Sequence, residues 1–424
     1  MLRFVAAVVF VSTLGIFQMA AQERDPIKDR VNADGKVKGS IAAVPATVPT
    51  IPADVDVSDG LTEREAVTVA LWNNAQFNAD LSALGFARAD LKDAGLLRNP
   101  VFSLLFPFGP KQLEAVVSLP IEIFWQRPKR VAAAKVNLQR VGKSLEQNGL
   151  NLVREVRNGF VDLSLAEAKS RLTAEAIDTR QRIYAIMQAR FREGDISEAE
   201  LKASLADLEA AKLDQIRFDG DMSTAKERLR LLLGLSSEQL QFEIVNLPYI
   251  PGNVAGFDEL LRKAQSARPD LRAAEMAIEA AGKRAKWEKS KIFSLIATLD
   301  MNGSGSKGFE AGPGITAELP IFNRNQGGIS RAQAEIEQAT RNYALVQEQI
   351  VAEVAEARIR LIKSRELADH LEKSVIPELE REQQLSQASF GRGDIPFLFV
   401  LINKQRLEMA RTRQADALAD IHRA

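Results

Sequence analysis

The sequence contains no cysteine. Disulfides, thiolate metal sites and cysteine nucleophiles are therefore excluded, as is the acylated N-terminal cysteine of a bacterial lipoprotein. Histidine occurs only at His370 and His422, too few for a histidine-rich metal site. Aromatics make up 6% of the 424 residues, low for an enzyme with a large compact core. Neither sign of charge is in excess: 56 Lys and Arg balance 56 Asp and Glu. A general nucleic-acid binder carries a basic surplus, so no nucleic-acid partner is expected. Phosphate loops, metal-ligand clusters and nucleophile elbows are absent as well. Gly303, Gly305 and Gly308 have the glycine density of a phosphate loop, but they link alternating strands and no helix begins after them. The expectation is a protein that is not an enzyme, with no catalytic residue, metal site or cofactor.

Long apolar runs are also scarce. The one candidate opens the chain, where Arg3 precedes an almost wholly apolar stretch from Phe4 to Phe17, followed by Ala20 and Ala21. This pattern over residues 1–21 reads as a secretory signal peptide, because the run is shorter than the ~20 residues of a spanning helix. Residues 22–60 carry Pro45, Pro49 and Pro52 among small residues and read as an extended tether. A β-barrel remains open as a membrane structure, since its strands need only about 9–11 residues.

What the sequence does have is a repeat with a period near 200. Leu119-Pro120-Ile121 recurs as Leu319-Pro320-Ile321, and Ala189-Arg190-Phe191-Arg192-Glu193-Gly194-Asp195-Ile196 as Ala388-Ser389-Phe390-Gly391-Arg392-Gly393-Asp394-Ile395. Two matches in register indicate duplication. Residues 61–235 and 257–424 are read as the repeats, joined by residues 236–256. Each holds a helix, two strands, a long helix, a Gly-Asp-Ile turn and a returning helix.

No proline separates Pro128 from Pro248, and the interval is dense in strong helix formers. A helix of roughly 60 residues is expected from Lys129 to Arg192, with Pro128 in its first turn and small bends at Gly142, Gly149 and Gly159. Its counterpart, from Ile329 to Gly391, should kink at Pro377. Returning helices are expected from Ser197 to Leu233 and from Phe397 onward. Ile183, Ile186, Met187 and Arg190 suggest one stripe, and Leu201, Leu205, Leu208, Ala211 and Leu213 another. Helices this long imply a rod or the staves of a tube.

The strands alternate. Phe293, Leu295, Ala297, Leu299 and Met301 take one face of the first strand of the second pair, with Ser294, Ile296, Thr298, Asp300 and Asn302 on the other. The return strand, read from Gly312 to Leu319, alternates likewise. In the first pair, Val101–Phe108 and Leu113–Leu119 bracket Gly109-Pro110, with Glu114 opposing the apolar set. One apolar and one polar face suits a membrane barrel or a hairpin packed on a soluble core. Two hairpins leave open edges and are too few to close a barrel, so a barrel requires several copies.

From about Leu61 onward the chain resembles the TolC family of outer-membrane efflux channels. The resemblance rests on the leader, the duplicated halves, the Gly-Asp-Ile turns and the segments Trp125-Gln126-Arg127-Pro128-Lys129-Arg130 and Phe322-Asn323-Arg324-Asn325-Gln326-Gly327-Gly328 that follow the hairpins. It implies a mainly α fold with a small β part. Long coiled-coil helices would form a trimeric α-barrel in the periplasm, and four strands per chain a 12-stranded transmembrane β-barrel. It also implies a homotrimer in outer-membrane lipid, serving as a passive conduit for an inner-membrane pump and a periplasmic adaptor. The sequence looks nearest the heavy-metal (cobalt–zinc–cadmium or copper) branch. Multidrug efflux and type I secretion channels are the alternatives, and a periplasmic coiled-coil adaptor is the reading from a different class.

By the same resemblance, Gly194, Asp195, Ile196, Gly393, Asp394 and Ile395 would form the periplasmic tip that meets the adaptor. Glu200, Phe399 and Ile402 are candidates for a tunnel constriction. By strand alternation Glu114, Asp300 and Glu318 are candidates for the barrel lumen. Arg127, Lys129, Arg130 and Arg324 would cluster just below the barrel as polar anchors.

Overall fold

A computed structural model describes Pro52, Val55 and residues 60–106, 113–235, 242–245, 254–303 and 308–424. The signal-peptide reading lies outside these residues. So do most of the tether and of the joining segment, the Gly109-Pro110 turn and the centre of the 303–308 loop.

The elements, in order, are α1 (Glu63–Asn73), α2 (Ala75–Gly95), β1 (Val101–Leu105), β2 (Leu113–Pro120), α3 (Ile123–Glu193) and α4 (Glu198–Leu233). They are followed by α5 (Phe257–Ala267), α6 (Pro269–Ser290), β3 (Ser294–Gly303), β4 (Phe309–Glu318), α7 (Gln326–His370), a π-turn (Leu371–Val375), α8 (Ile376–Arg392) and α9 (Phe397–Arg423). At 1.5 Å per residue, the 71 residues of α3 span about 105 Å. No helix among the described residues is long and apolar enough to cross a membrane.

The long helices differ from expectation in two ways. α3 begins at Ile123, so Pro128 lies inside it, and it passes Gly142, Gly149 and Gly159 without a break. Gly159 serves close packing instead: an added Cβ would stand 3.2 Å from Leu232 Cδ1. In the second half the interruption predicted at Pro377 is present as the π-turn. Pro377 has no N–H to give the carbonyl four residues back, and the Ile376 N–H bonds Leu371 O, one residue further than an α-helix allows.

The main core gathers Leu61, Leu71, Phe77 and Leu81 around Phe160 and Leu163 of α3, with Leu229 and Leu233 of α4 and Phe242 closing it. Leu61 N–H donates to Glu243 O at 2.7 Å, and Val245 N–H to Leu61 O at 3.1 Å. Within the long helices the apolar stripes are narrower than the sequence suggested. Met187, Leu208 and Ala211 are buried, whereas Ile186 and Leu213 are exposed. A residue one position before Met187, or two after Ala211, lies on another helix face at 100° per residue.

The four strands form one antiparallel sheet in the order β1-β2-β3-β4. β2 pairs with β3 over Leu113↔Gly303 to Pro120↔Ile296, so the two hairpins are fused and, among the described residues, β1 and β4 are the edge strands.

Candidate functional site

Three features stand out: the two-faced sheet, the paired helix tips and a charged cluster joining the halves.

Directly paired residues share a sheet face. The register therefore places Phe102, Val117, Leu299 and Pro313 in one row, with Leu104, Ala115, Met301 and Ala311 beside it on the same face. Phe309, Ile315 and Ala317 also lie there, and Phe309 and Ile315 are each at least 70% exposed. The opposite face carries Ser103, Val116, Asp300 and Gly312 in one row and Leu105, Glu114, Asn302 and Glu310 in the next, with Val101, Ser118 and Thr298 in a third. Glu318 is on this face too, opposite Ser294 at the far end. Glu114 and Asp300 are thus brought together, while Glu318 is separated by the length of the strand. Glu310 was missed because the return strand was read from Gly312, whereas β4 starts at Phe309. The Asn302 amide donates to Asp300 Oδ2 at 3.3 Å, leaving Oδ1 without a hydrogen bond.

At the other end of the long helices, both Gly-Asp-Ile turns close in the same way. Gly194 (φ 80°) and Gly393 (φ 84°) are left-handed. Gly194 N–H bonds Phe191 O and Asp195 N–H bonds Arg190 O. In the second turn Gly393 N–H bonds Phe390 O and Asp394 N–H bonds Ser389 O. This is the double bond pattern of a glycine-ended helix. An added Cβ would meet nothing within 4 Å at either glycine, so backbone conformation alone demands the residue. Replacing Gly194 or Gly393 by Ala is expected to cost about 1–2 kcal/mol each, readable as a lowered chemical-denaturation midpoint.

Ile196 and Ile395 pack on one small cluster built from Met187, Phe397 and Val400, so the two tips are neighbours. The Arg190 guanidinium lies 4.4 Å from the Phe390 ring centre and donates to the Phe390 and Gly391 carbonyls. Asp394 accepts from Arg392 Nε at 2.8 Å, and Asp195 stands exposed.

The constriction candidates separate. The Glu200 carboxylate accepts from the Ser197 N–H (2.9 Å) and hydroxyl (3.0 Å), while Ser197 Oγ accepts from the Glu200 N–H. This capping box starts α4, so the carboxylate is engaged by its own helix terminus. Phe399 is 55% exposed and Ile402 half-buried, while their neighbours Phe397 and Val400 take the buried face. Ser197→Ala should cost about 1 kcal/mol through the lost cap, measured by thermal denaturation.

Above the tip lies a cluster the sequence reading missed. Arg180 of α3 is buried and donates to Asp207 of α4 (Nε–Oδ2 2.8 Å). It also forks onto both carboxylate oxygens of Glu408 of α9 (3.0 and 2.7 Å). Lys404, one turn before Glu408, is buried with its Nζ 3.9 Å from Glu408 Oε1 and no hydrogen-bond partner. Burial lowers its pKa to about 8, with Arg180 and Arg182 adding to the fall and Glu408 and Asp207 opposing it. No signal in one sequence marks these four among 56 acids and 56 bases.

Where helices meet the sheet, acids are neutralised locally. Glu122 accepts from Arg98 (3.3 Å), Ser294 Oγ (2.8 Å) and the Leu295 N–H (2.8 Å). Glu288 accepts from Lys291 (2.6 Å) and Asn325 Nδ2 (2.9 Å). Arg127 and Arg130 reach back to carbonyls ending α2: Arg127 Nε to Gly95 O, and Arg130 to Ala94 O and Leu96 O. No group of three or more His, Asp or Glu among the described residues is placed to hold a metal ion.

Known proteins share this construction. The family model described as outer membrane efflux protein matches residues 108–235 and 260–424. The cobalt-zinc-cadmium resistance protein CzcC of Cupriavidus metallidurans is 24% identical over 385 residues, covering 89% of this chain and 90% of the relative. The cation efflux system protein CusC of Escherichia coli K12 is 23% identical over 312 residues, covering 70% and 67%. The solved outer-membrane channel OprN superposes with a TM-score of 0.74 at 17% identity, covering 97% of this chain and 96% of that one. The two-faced sheet on very long helices is the fold of such a channel, and the chain belongs to the outer membrane efflux protein family.

Proposed function

We propose that three copies of this chain form a passive outer-membrane conduit for heavy-metal cations. The observation that carries the reading is the sheet: one face wholly apolar along its central rows, the other holding all its carboxylates, with free edges at β1 and β4. Pairing β1 of one copy with β4 of the next would close 12 strands and remove every edge. The 10 residues of β3 and of β4 match the length of a spanning strand. Residues 61–235 and 257–424 then act as two structural repeats, each giving one hairpin to the barrel and its long helices to a tunnel below.

Glu114, Asp300, Glu310 and Glu318 would face the lumen, where threefold repetition makes rings that favour cations. The Gly194-Asp195-Ile196 and Gly393-Asp394-Ile395 turns would form the periplasmic tip. There they offer exposed polar backbone and Asp195 to a helical adaptor linked to an inner-membrane pump. Phe399 and Ile402 are the better constriction candidates, because Glu200 is committed to its cap. Chemistry is not required of the conduit, since the pump supplies the energy. The metal reading follows the names of CzcC and CusC.

The test is growth of a deletion strain and its complemented parent on graded zinc, cobalt, cadmium, nickel and copper, with a parallel panel of dyes and antibiotics. Selective metal sensitivity restored by the intact gene is expected. Sensitivity to organic compounds with unchanged metal tolerance would replace the substrate class with drugs.

A further inference from the structure

At the helix end of the sheet, the two buried acids are already engaged. Glu122 is held by Arg98 and two donors of β3, and Glu288 by Lys291 and Asn325. Glu318 points to the polar face of the sheet. Arg127, Lys129 and Arg324 remain exposed, with no carboxylate partner among the described residues. Two of them are built alike. Arg127 donates through Nε to Gly95 O at 2.7 Å, and Arg324 through Nε to Pro320 O at 3.1 Å. In each, the backbone carbonyl orients the guanidinium plane through Nε, and the two terminal nitrogens have no hydrogen bond among the described residues. A guanidinium so oriented matches the two free oxygens of a phosphate diester. Each also has an exposed aromatic near it. Phe124, 74% exposed, lies one helical turn before Arg127, and Phe322, 90% exposed, lies two residues before Arg324.

We propose that Arg127 and Arg324 are phosphate-binding pads for anionic phospholipid headgroups at the rim where the sheet meets the helices, with Phe124 and Phe322 entering the acyl boundary beside them. The proposal rests on the barrel reading above. Charge complementarity selects the ligand, because Arg127, Lys129 and Arg324 outnumber the exposed acid two residues before Gly95, Asp93 of α2. The apolar partner selects a lipid over a free anion, since an exposed Phe gains from an acyl chain and not from phosphate alone. Continuity with the apolar strand face places both pads at headgroup depth. In a trimer the rim would hold six pads.

The experiment uses the full chain in nanodiscs of phosphatidylcholine alone or of phosphatidylcholine mixed with phosphatidylglycerol. Native mass spectrometry then scores the lipid retained. Wild type should retain phosphatidylglycerol in preference to phosphatidylcholine. The double variant Arg127→Gln/Arg324→Gln should lose that preference by about tenfold or more, as expected for lost charge-assisted hydrogen bonds. The variant Arg127→Lys/Arg324→Lys, which keeps charge but not the fork, should retain less than wild type and more than the glutamine pair. Arg331→Gln, on the exposed side of α7, should behave as wild type. Equal retention of the two lipids by wild type, or full preference in the glutamine pair, would overturn the proposal. Displacement of phosphatidylglycerol by excess inorganic phosphate would also overturn it and assign a free anion. Failure of the wild-type chain to insert into either nanodisc would instead refute the barrel reading.

Discussion

Replacing Arg180 by Met is expected to destabilise the protein by about 3–5 kcal/mol, the cost of stripping one partner from a buried ion cluster. The loss is large because the buried Arg180 serves two carboxylates on two helices, Asp207 and Glu408. Removing it leaves both acids close together without their cation. The triple replacement Arg180→Met/Asp207→Leu/Glu408→Leu should recover much of the loss, since a buried ion cluster and an apolar one of similar volume differ little in stability. Lys404→Met should act in the opposite direction. The folded protein holds this lysine at a pKa of about 8, below its unfolded value, so the native state binds fewer protons than the unfolded state between those values. Relative to the unfolded chain, burial disfavours the charged amine in the fold. That penalty is fully present below pH 8 and is relieved as pH rises toward the unfolded value. The stability difference between wild type and Lys404→Met, followed by denaturation from pH 7 to 10, should therefore favour the variant most at pH 7 and narrow as pH rises. A difference that stays flat across that range would show that the amine is charged and solvated in the native state.

The second large effect concerns the sheet. Leu299→Arg places a charge on the apolar face in the row of Phe102, Val117 and Pro313. In a membrane barrel this costs about 2–4 kcal/mol near the bilayer midplane, and the protein should be lost from the outer-membrane fraction. Asp300→Arg, one residue on, changes charge by two units but faces the polar side, and insertion should persist. On a soluble hairpin with its apolar face on a core, Leu299→Arg would unfold the hairpin yet leave the chain in the periplasm.

The parts legible in the sequence were those governed by period and by local chemistry. Alternation from Phe293 to Asn302 set the faces of β3, because a strand repeats every two residues whatever surrounds it. Pro377 forecast the interruption realised as the π-turn, and Gly194 and Gly393 forecast helix ends that only left-handed backbone can make. Positions set by distant partners were not legible. Arg180 is defined by Glu408, 228 residues away, and Arg127 by a carbonyl 32 residues away. Glu200 was a constriction candidate by resemblance, yet Ser197 three residues earlier was the signal of a capping box. The exposure of Ile186 and Leu213 has the same origin. On very long helices a residue's side is fixed by which neighbours pack there, and charge and apolarity recur on every face.

The account turns on the sheet being a segment of membrane barrel, and cysteine accessibility tests this most directly, because the natural chain has no cysteine to interfere. Single cysteines placed in turn at residues 297 to 302 would be labelled in intact cells with a membrane-impermeant maleimide small enough to enter the pore. The account predicts labelling at 298, 300 and 302, on the face shared with Glu114 and Glu310, and protection at 297, 299 and 301. Uniform labelling at all six positions, or labelling only after the outer membrane is broken, would contradict it.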